Sequence, residues 1–468
     1  MSLDLCFMPA TELVARYRAR SLSPVEVARA VLERIRALNP QLNAYCLVDE
    51  ESALAAARAA EGRWAKGAPA GPLDGVPVSI KDLVLAKGWP TLRGSRTIDA
   101  AGPWNDDAPA TARLRESGAV LLGKTCTPEY GWKGVTDSPL TGITRNPWNL
   151  ERTPGGSSGG ASAQLAAGMG QLAVGTDGGG SIRIPSAFAG VSGIKPHFGR
   201  VPAWPLSPMG TVAHVGPMAR TVGDLALMLN VLARPDARDW HALPYDPADW
   251  TASLASGVEG LRIAYSPRLG YVKYVHPEVE ARVADAAKAL AALGARVERI
   301  DPGFPDQRDT FWVHWTSGAF NALRKLPPEK FALLEDGLRQ AFEAGSRHTL
   351  ADYFDAVAAR TAIAERMKQF HRDWDVLVTP ALAVPAFEVG RVAPAAPAGL
   401  EHDWTWWTPF TFPFNLTQQP AASVPCGFTA ERLPVGLQLV APPHREDLAL
   451  RAAHAFQQAT DHLRRPSL

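Results

Sequence analysis

What this 468-residue chain has little of narrows its function before any motif is read. It has almost no excess charge: 48 Lys and Arg stand against 47 Asp and Glu, a net charge of +1. A protein held to nucleic acid or to an anionic membrane by its field needs a basic footprint, and no basic run supplies one. Neither partner is expected. Cysteine is scarce, with Cys6, Cys46, Cys126 and Cys426 widely scattered and no CxxC pair. Such spacing offers neither a disulfide framework nor a zinc site, and free thiols suit a reducing cytosol. The opening MSLDLCFMPATELVARYRAR has no apolar core behind a basic start, so no secretory signal is expected. No stretch approaches the ~18 uninterrupted apolar residues of a membrane span. A cytoplasmic location is the expectation. Histidine, the commonest base in hydrolases, is late: the first of 11 is His197.

What is present suits one large interior. Hydrophobic residues make up 46% and charged residues 20%, a balance that excludes global disorder. Ser23-Pro24-Val25-Glu26 reads as a capping box with Pro at the first helical position. Behind it Val27, Ala28, Val31, Leu32, Ile35 and Leu38 recur at helical spacing. After a Pro/Gly-rich stretch, Val76 to Ile80 reads as a strand, as do Ala119 to Leu122, Leu261 to Tyr265, Val297 to Ile300, Asp375 to Thr379, Ala422 to Pro425 and Val435 to Val440. A helix is expected from about Pro277 to Leu293 and another after Glu446. Strands alternating with helices predict an α/β fold, a mixed β-sheet sandwiched between layers of α-helices. There is no internal repeat, and no linker divides the chain. One domain is expected over 1–468, with N-terminal helices at about 8–66, a core at about 70–225 and further α/β and pocket segments at about 226–468. The run Ala393 to Gly399 reads as a surface loop.

Two glycine-rich signals compete. Gly118 to Thr125 fits the G-x-x-x-x-G-K-[ST] pattern, which would make Lys124 the phosphate ligand of an ATP-binding protein. A phosphate loop needs a bent, polar backbone leading into a helix. The middle residues here are Ala, Val, Leu and Leu, which suit a buried strand, and Pro128 follows soon after. The match is read as coincidence.

The second signal is longer. Thr153-Pro154-Gly155-Gly156-Ser157-Ser158-Gly159-Gly160 is followed by Gly175-Thr176-Asp177-Gly178-Gly179-Gly180-Ser181-Ile182-Arg183-Ile184-Pro185. Gly178, Gly179 and Gly180 lead straight into Ser181, so unhindered N–H groups surround one hydroxyl, as an oxyanion hole requires. Asp177 and Arg183 flank the loop and are placed to hold it by an ion pair. A serine hydroxyl needs a base. No histidine lies in or before these loops, and Ser181 is not on a G-x-S-x-G elbow. A later histidine that folds back stays open. Lys81, at the end of the strand beside Asp82, is the better candidate: burial at a sheet edge would lower its pKa from ~10.4 toward neutrality and free its lone pair. Alone, a strand-end lysine is more often a solvated charge. The two loops tip the balance.

These residues resemble the amidase signature family of serine hydrolases. The resemblance is carried by Gly155-Gly156-Ser157-Ser158-Gly159-Gly160, Gly175-Thr176-Asp177, Gly179-Gly180-Ser181-Ile182-Arg183, Pro185, Gly193-Ile194-Lys195-Pro196 and Gly75 to Asp82. It extends to Gly123-Lys124-Thr125, Gly216 to Thr221, Asn415-Leu416, Pro420-Ala421 and Leu433 to Gln438, nearly the whole chain. It implies that Ser181 is the acyl-forming nucleophile, that Ser157, with a cis peptide link, relays protons to and from Lys81, and that N–H groups of Gly178 to Ser181 hold the oxyanion. It implies an amidase with no metal or organic cofactor. Gly178, Cys126 and His197 depart from common family residues without removing a proton-transfer group.

The family spans stand-alone amidases and the glutaminase component of the tRNA-dependent amidotransferase, which releases ammonia from glutamine with partner chains. That component carries an acid that would fall near Thr408, where this chain has none. A stand-alone enzyme acting on a small-molecule amide is therefore expected, with a homodimer as the default assembly. Tyr130, Trp132, Trp204, Trp312, Trp315, Trp406 and Trp407 are candidates for the pocket wall, with core packing the competing reading for each. If they do line it, aryl or small hydrophobic amides are favoured.

Overall fold

The computed structural model describes residues 3–400 and 404–468. Its N-terminal region forms helices Ala10–Arg18, Pro24–Leu42 and Glu50–Ala65. The second begins as its sequence dictates: the Ser23 hydroxyl accepts from the Val25 N–H at 3.0 Å, and the Ser23 N–H donates to Glu26 at 2.9 Å. Val27, Ala28, Val31, Leu32 and Ile35 are buried, with Leu38 half-buried. A four-residue strand, β1 (Tyr45–Val48), interrupts the expected helical run. So short a segment has no periodicity of its own to announce it, and its partner strand lies far along the chain.

The next strands are β2 (Pro77–Lys81), β3 (Val120–Thr125), β4 (Asp137–Ser138), β5 (Gly142–Ile143), β6 (Leu172–Asp177), β7 (Ser192–Lys195) and β8 (His214–Ala219). They are followed by β9 (Arg262–Tyr265), β10 (Arg296–Arg299), β11 (Val376–Pro380), β12 (Ala421–Phe428) and β13 (Pro434–Val440). β4 and β5 form a small hairpin; the others make one 11-stranded sheet in the order β1-β3-β2-β6-β8-β7-β12-β13-β11-β9-β10. It is mixed. β2 runs parallel to β3 and β6, and β9 parallel to β10 and β11, whereas β6–β8, β7–β8 and β12–β13 are antiparallel. The β9–helix–β10 unit uses the expected helix, Pro277–Ala292. Every residue of β2, β3 and β13 is buried, the pattern of strands covered on both faces. Helices Gly159–Ala166, Arg183–Ala189, Val222–Leu232, Pro277–Ala292 and Glu446–Gln458 pack on the sheet. Among the described residues no helix is long and apolar enough to cross a membrane.

Two sequence-level ambiguities are resolved by this sheet. All but the first two residues of the Gly118–Thr125 segment form the buried strand β3, with Lys124 next to its last residue. The Lys124 ammonium lies 3.3 Å from Asp82 and donates to the Val84 carbonyl at 2.9 Å and the Thr91 hydroxyl at 2.7 Å. It is a structural cation and presents no phosphate nest. Lys81 ends its strand, but that strand is interior, between β3 and β6, not at the sheet edge expected for it. Lys81 is thus more completely enclosed than an edge position would allow.

Candidate active site

At the end of β2, Lys81 is fully buried. Its Nζ lies 2.7 Å from the Ser157 hydroxyl, 2.8 Å from that of Ser158 and 2.9 Å from that of Thr176. Burial pushes its pKa well below the usual lysine value, against a smaller opposing pull from Asp177. Ser157, after the cis Gly156–Ser157 bond, and Ser181 both line the same cleft. The Ser158 N–H donates to the Ser181 carbonyl at 3.1 Å, locking the two glycine-serine segments together. Ser158 and Thr176 were not singled out from sequence. Both stand inside the glycine-serine motifs, but nothing in linear spacing shows their hydroxyls converging on one amine.

Asp177 and Arg183 form the expected ion pair, 2.9 Å apart and both fully buried. Arg183 uses all its N–H groups: Nε and Nη2 on Asp177, Nη2 also on Asn415 at 2.6 Å, and Nη1 on the Thr411 carbonyl and Gln438, each at 2.8 Å. Burial alone would raise the Asp177 pKa, but Arg183, with Lys195 and Asn415, holds it well below the usual carboxylate range. The Asp177 carboxylate in turn accepts from the Gly180 N–H at 2.8 Å and the Ile182 N–H at 3.1 Å. This changes one expectation. The Gly180 N–H is already committed to Asp177, whereas those of Gly178, Gly179 and Ser181 donate to no acceptor among the described residues. The reason for glycine also differs. A Cβ on Gly178 would sit 2.9 Å from Trp315, one on Gly179 2.6 Å from Phe311, and one on Gly180 2.5 Å from Thr411. It is the wall packed against the loop that forbids side chains here.

The cleft in front of the two serines has a volume of about 160 Å³. An engineered cavity of about 150 Å³ admits benzene, so one aromatic ring fits. Tyr130, Trp204 and Trp315 line it as expected, together with Leu83, Leu206 and Met209. The four other candidates do not. Trp407 is fully buried, stacked on Phe188 with ring centroids 5.6 Å apart. Trp132 is buried with its indole N–H on Glu335, and Trp312 packs half-buried against the core. Trp406 is likewise buried away from this cleft. For these, core packing wins: a large apolar ring next to a glycine-rich loop is as useful behind it as in front.

A later histidine does fold back. His214, on β8, lines the cleft, but its Nδ1 lies 2.9 Å from the Val212 carbonyl and 3.2 Å from that of Asp177. Nδ1 must therefore carry the proton, and Nε2 accepts from Lys195 at 3.4 Å. Neither nitrogen is offered to a serine. Lys195 also donates to the carbonyls of Pro196 and Gln419. Burial depresses the pKa of Lys195 as it does that of Lys81, yet the partners differ. Lys195 meets three acceptors, which match an ammonium; Lys81 meets three hydroxyls, which suit an amine equally well. No group of three or more His, Cys, Asp or Glu side chains among the described residues is arranged to hold a metal.

Two serines and a lysine, rather than a histidine, meet at this cleft of the α/β fold. Residues 26–450 match the amidase family model. An acylamidase of Rhodococcus erythropolis is 39% identical over 459 residues, 97% of this chain and 96% of that protein. The first subunit of the glutamyl-tRNA(Gln) amidotransferase of Chloroflexus aggregans is 37% identical over 494 residues, 99% of each. The crystal structure of a bacterial aryl acylamidase belonging to the amidase signature family superposes with a TM-score of 0.91 at 33% identity, covering 97% of each chain. The chain belongs to the amidase family, the amidase-signature hydrolases of amide bonds.

Proposed function

We propose that the chain hydrolyses a carboxamide to a carboxylate and ammonia or an amine, through an acyl-enzyme on Ser181. One observation carries the reading: a fully buried lysine whose Nζ has hydroxyl oxygens as its hydrogen-bond partners, the nearest being Ser157 at 2.7 Å. A buried ammonium without a carboxylate partner is strongly disfavoured, so the amine is neutral. The Ser158 hydroxyl spends its proton on the Thr176 carbonyl, 3.2 Å away, and so accepts one N–H from Lys81. The second N–H goes to Thr176. The lone pair then faces the Ser157 hydroxyl.

From that starting point Ser157 passes its proton to Lys81 and takes the proton of Ser181, whose Oγ attacks the amide carbonyl. The N–H groups of Gly178, Gly179 and Ser181 stabilise the oxyanion, and Asp177, through Gly180 and Arg183, keeps the loop in place. Ser157 returns a proton to the leaving nitrogen as the C–N bond breaks. Water, deprotonated by the same relay, then releases the acid. The apolar ring-sized cleft, with an acylamidase and an aryl acylamidase among the relatives, supports aryl or small hydrophobic amides as substrates.

Ser181→Ala tests this directly: it should fold normally, release no amine from any amide and take up no fluorophosphonate, whereas the wild type does both. Turnover that survives the change would remove Ser181 from its role. A second reading, a glutaminase working inside a larger complex, draws on the amidotransferase similarity over the full length. Against it stands Thr408, buried and bonded to the Thr405 carbonyl at 3.3 Å, where the acid of such a glutaminase would fall. Ammonia release from glutamine would favour the second reading.

A further inference from the structure

Among the described residues, the cleft holds one charged group that this chemistry does not use. Arg93 lines it together with Ser157 and Ser181 and is half-buried. Its guanidinium makes no ion pair or hydrogen bond among the described residues; the contact recorded for it is the Tyr130 ring, 6.0 Å to the centroid. This differs from the other arginines of the site. Arg183 has every N–H matched, and Arg238, over Trp204, is paired with Asp236 at 2.7 Å. Among the described residues, the one carboxylate lining the cleft is Asp177, already neutralised by Arg183.

The position of Arg93 is built with some effort. Arg93 and Tyr130 both have left-handed backbones, at φ 55 and φ 52, a conformation that side-chain-bearing residues adopt only when their surroundings impose it, most often at functional sites. The two are tied together by the Tyr130 N–H donating to the Arg93 carbonyl at 2.8 Å. Tyr130 is fixed further by its hydroxyl, 2.7 Å from that of Thr97, and Thr97 by Ser95 at 2.9 Å. Ser95 donates to buried Glu129 at 2.6 Å. A polar network thus holds an unpaired guanidinium at the wall of a mostly apolar cavity. Such a group loses water when substrate enters and regains the loss only by meeting an anion, for which the planar fork of arginine is suited.

We propose that Arg93 is a specificity-determining residue that binds a carboxylate on the substrate, so that the preferred amides are aryl or hydrophobic amides bearing a carboxylate a few bonds from the scissile carbonyl. The proposal rests on the amidase reading above. Two matched pairs of probes test it and locate the carboxylate: acetanilide against 4-acetamidobenzoate for the amine side, and butyranilide against succinanilate for the acyl side. In at least one pair the wild type should prefer the acidic member by about tenfold or more in kcat/KM, chiefly through KM, the range of one charge-assisted hydrogen-bonded pair. The ratio within that pair should collapse toward unity in Arg93→Gln, recover in part in Arg93→Lys, and fall as salt rises. A ratio is insensitive to how much of a variant is folded. Equal use of both members by the wild type in both pairs, or a preference that survives Arg93→Gln, overturns the proposal while leaving the amidase reading intact. No turnover of any amide, with no fluorophosphonate labelling of Ser181, overturns both.

Discussion

Replacing Lys81 by methionine keeps an unbranched buried stem, with sulfur in place of one methylene, and removes the nitrogen, so it isolates the base. A positioned general base contributes about 10²–10⁴ in rate, and where base and nucleophile act as a unit the loss is larger. A fall in kcat/KM of about 10⁴ or more is therefore expected. Lys81→Arg should lose as much, because a guanidinium cannot give up its proton. The lowered pKa of Lys81 sets two pH signatures. Activity requires the amine, so kcat/KM is full above that pKa and falls about tenfold per pH unit below it. Stability moves with the same proton. The unfolded lysine keeps its proton up to ~10.4 while the native one has lost it above the lowered pKa. Between those two values the unfolded chain binds one more proton, so stability rises with pH by about 1.4 kcal/mol per unit from this residue. Lys81→Met lacks the contribution. Reversible urea unfolding of both proteins at stepped pH should show the wild type gaining on the variant with that slope. Parallel stability curves would show that Lys81 is an ammonium in the native protein, and a rate that stays flat into strong acid or an active Lys81→Arg would show that turnover needs no amine there; each refutes the relay.

Two further outcomes separate the loop's support from the cleft. Arg183→Leu leaves Asp177 charged and without its cation partner in a site with no exposure, and breaking a buried pair this way costs about 3–5 kcal/mol; thermal unfolding should fall sharply and activity with it, and a near-normal Tm would mean that the backbone donors and the Asn415 amide suffice to hold Asp177. Trp407→Ala empties a fully buried ring site and should destabilise by about 3–5 kcal/mol without changing the ranking of amides by kcat/KM, whereas Trp204→Ala, half-buried at the cleft, should leave Tm nearly unchanged and raise KM for aryl substrates. The opposite pattern would exchange their assigned places.

Much of the site was legible because its residues come in two contiguous runs. Ser157, Asp177, Ser181 and Arg183 sit in glycine-dense runs that stand out in the sequence, although distant walls are what forbid side chains at Gly178, Gly179 and Gly180, and the strand Pro77–Lys81 follows from its own alternation. The supports of Arg183 were not derivable from spacing. Asn415 and Gln438 are more than 200 positions away, and nothing local ties a distant amide to a guanidinium. The aromatic candidates show the same boundary. Trp315 and Trp407 have equal claims in the sequence, and only packing sends one to the cleft and the other behind Phe188.

Three lysines mark most clearly where sequence stops. Lys81 and Lys195 end their β-strands, Lys124 is the last residue but one of its strand, and each is buried. The amino-acid order alone determined strands β2, β3 and β9 to β13, the glycine loops and the family. Which lysine has partners that suit a base was decided by the fold: Lys124 meets a carboxylate, Lys195 meets carbonyls and a bare imidazole nitrogen, and Lys81 meets hydroxyls. Protonation depends on the partners that surround a nitrogen in three dimensions, and those partners come from strands that only the sheet brings side by side.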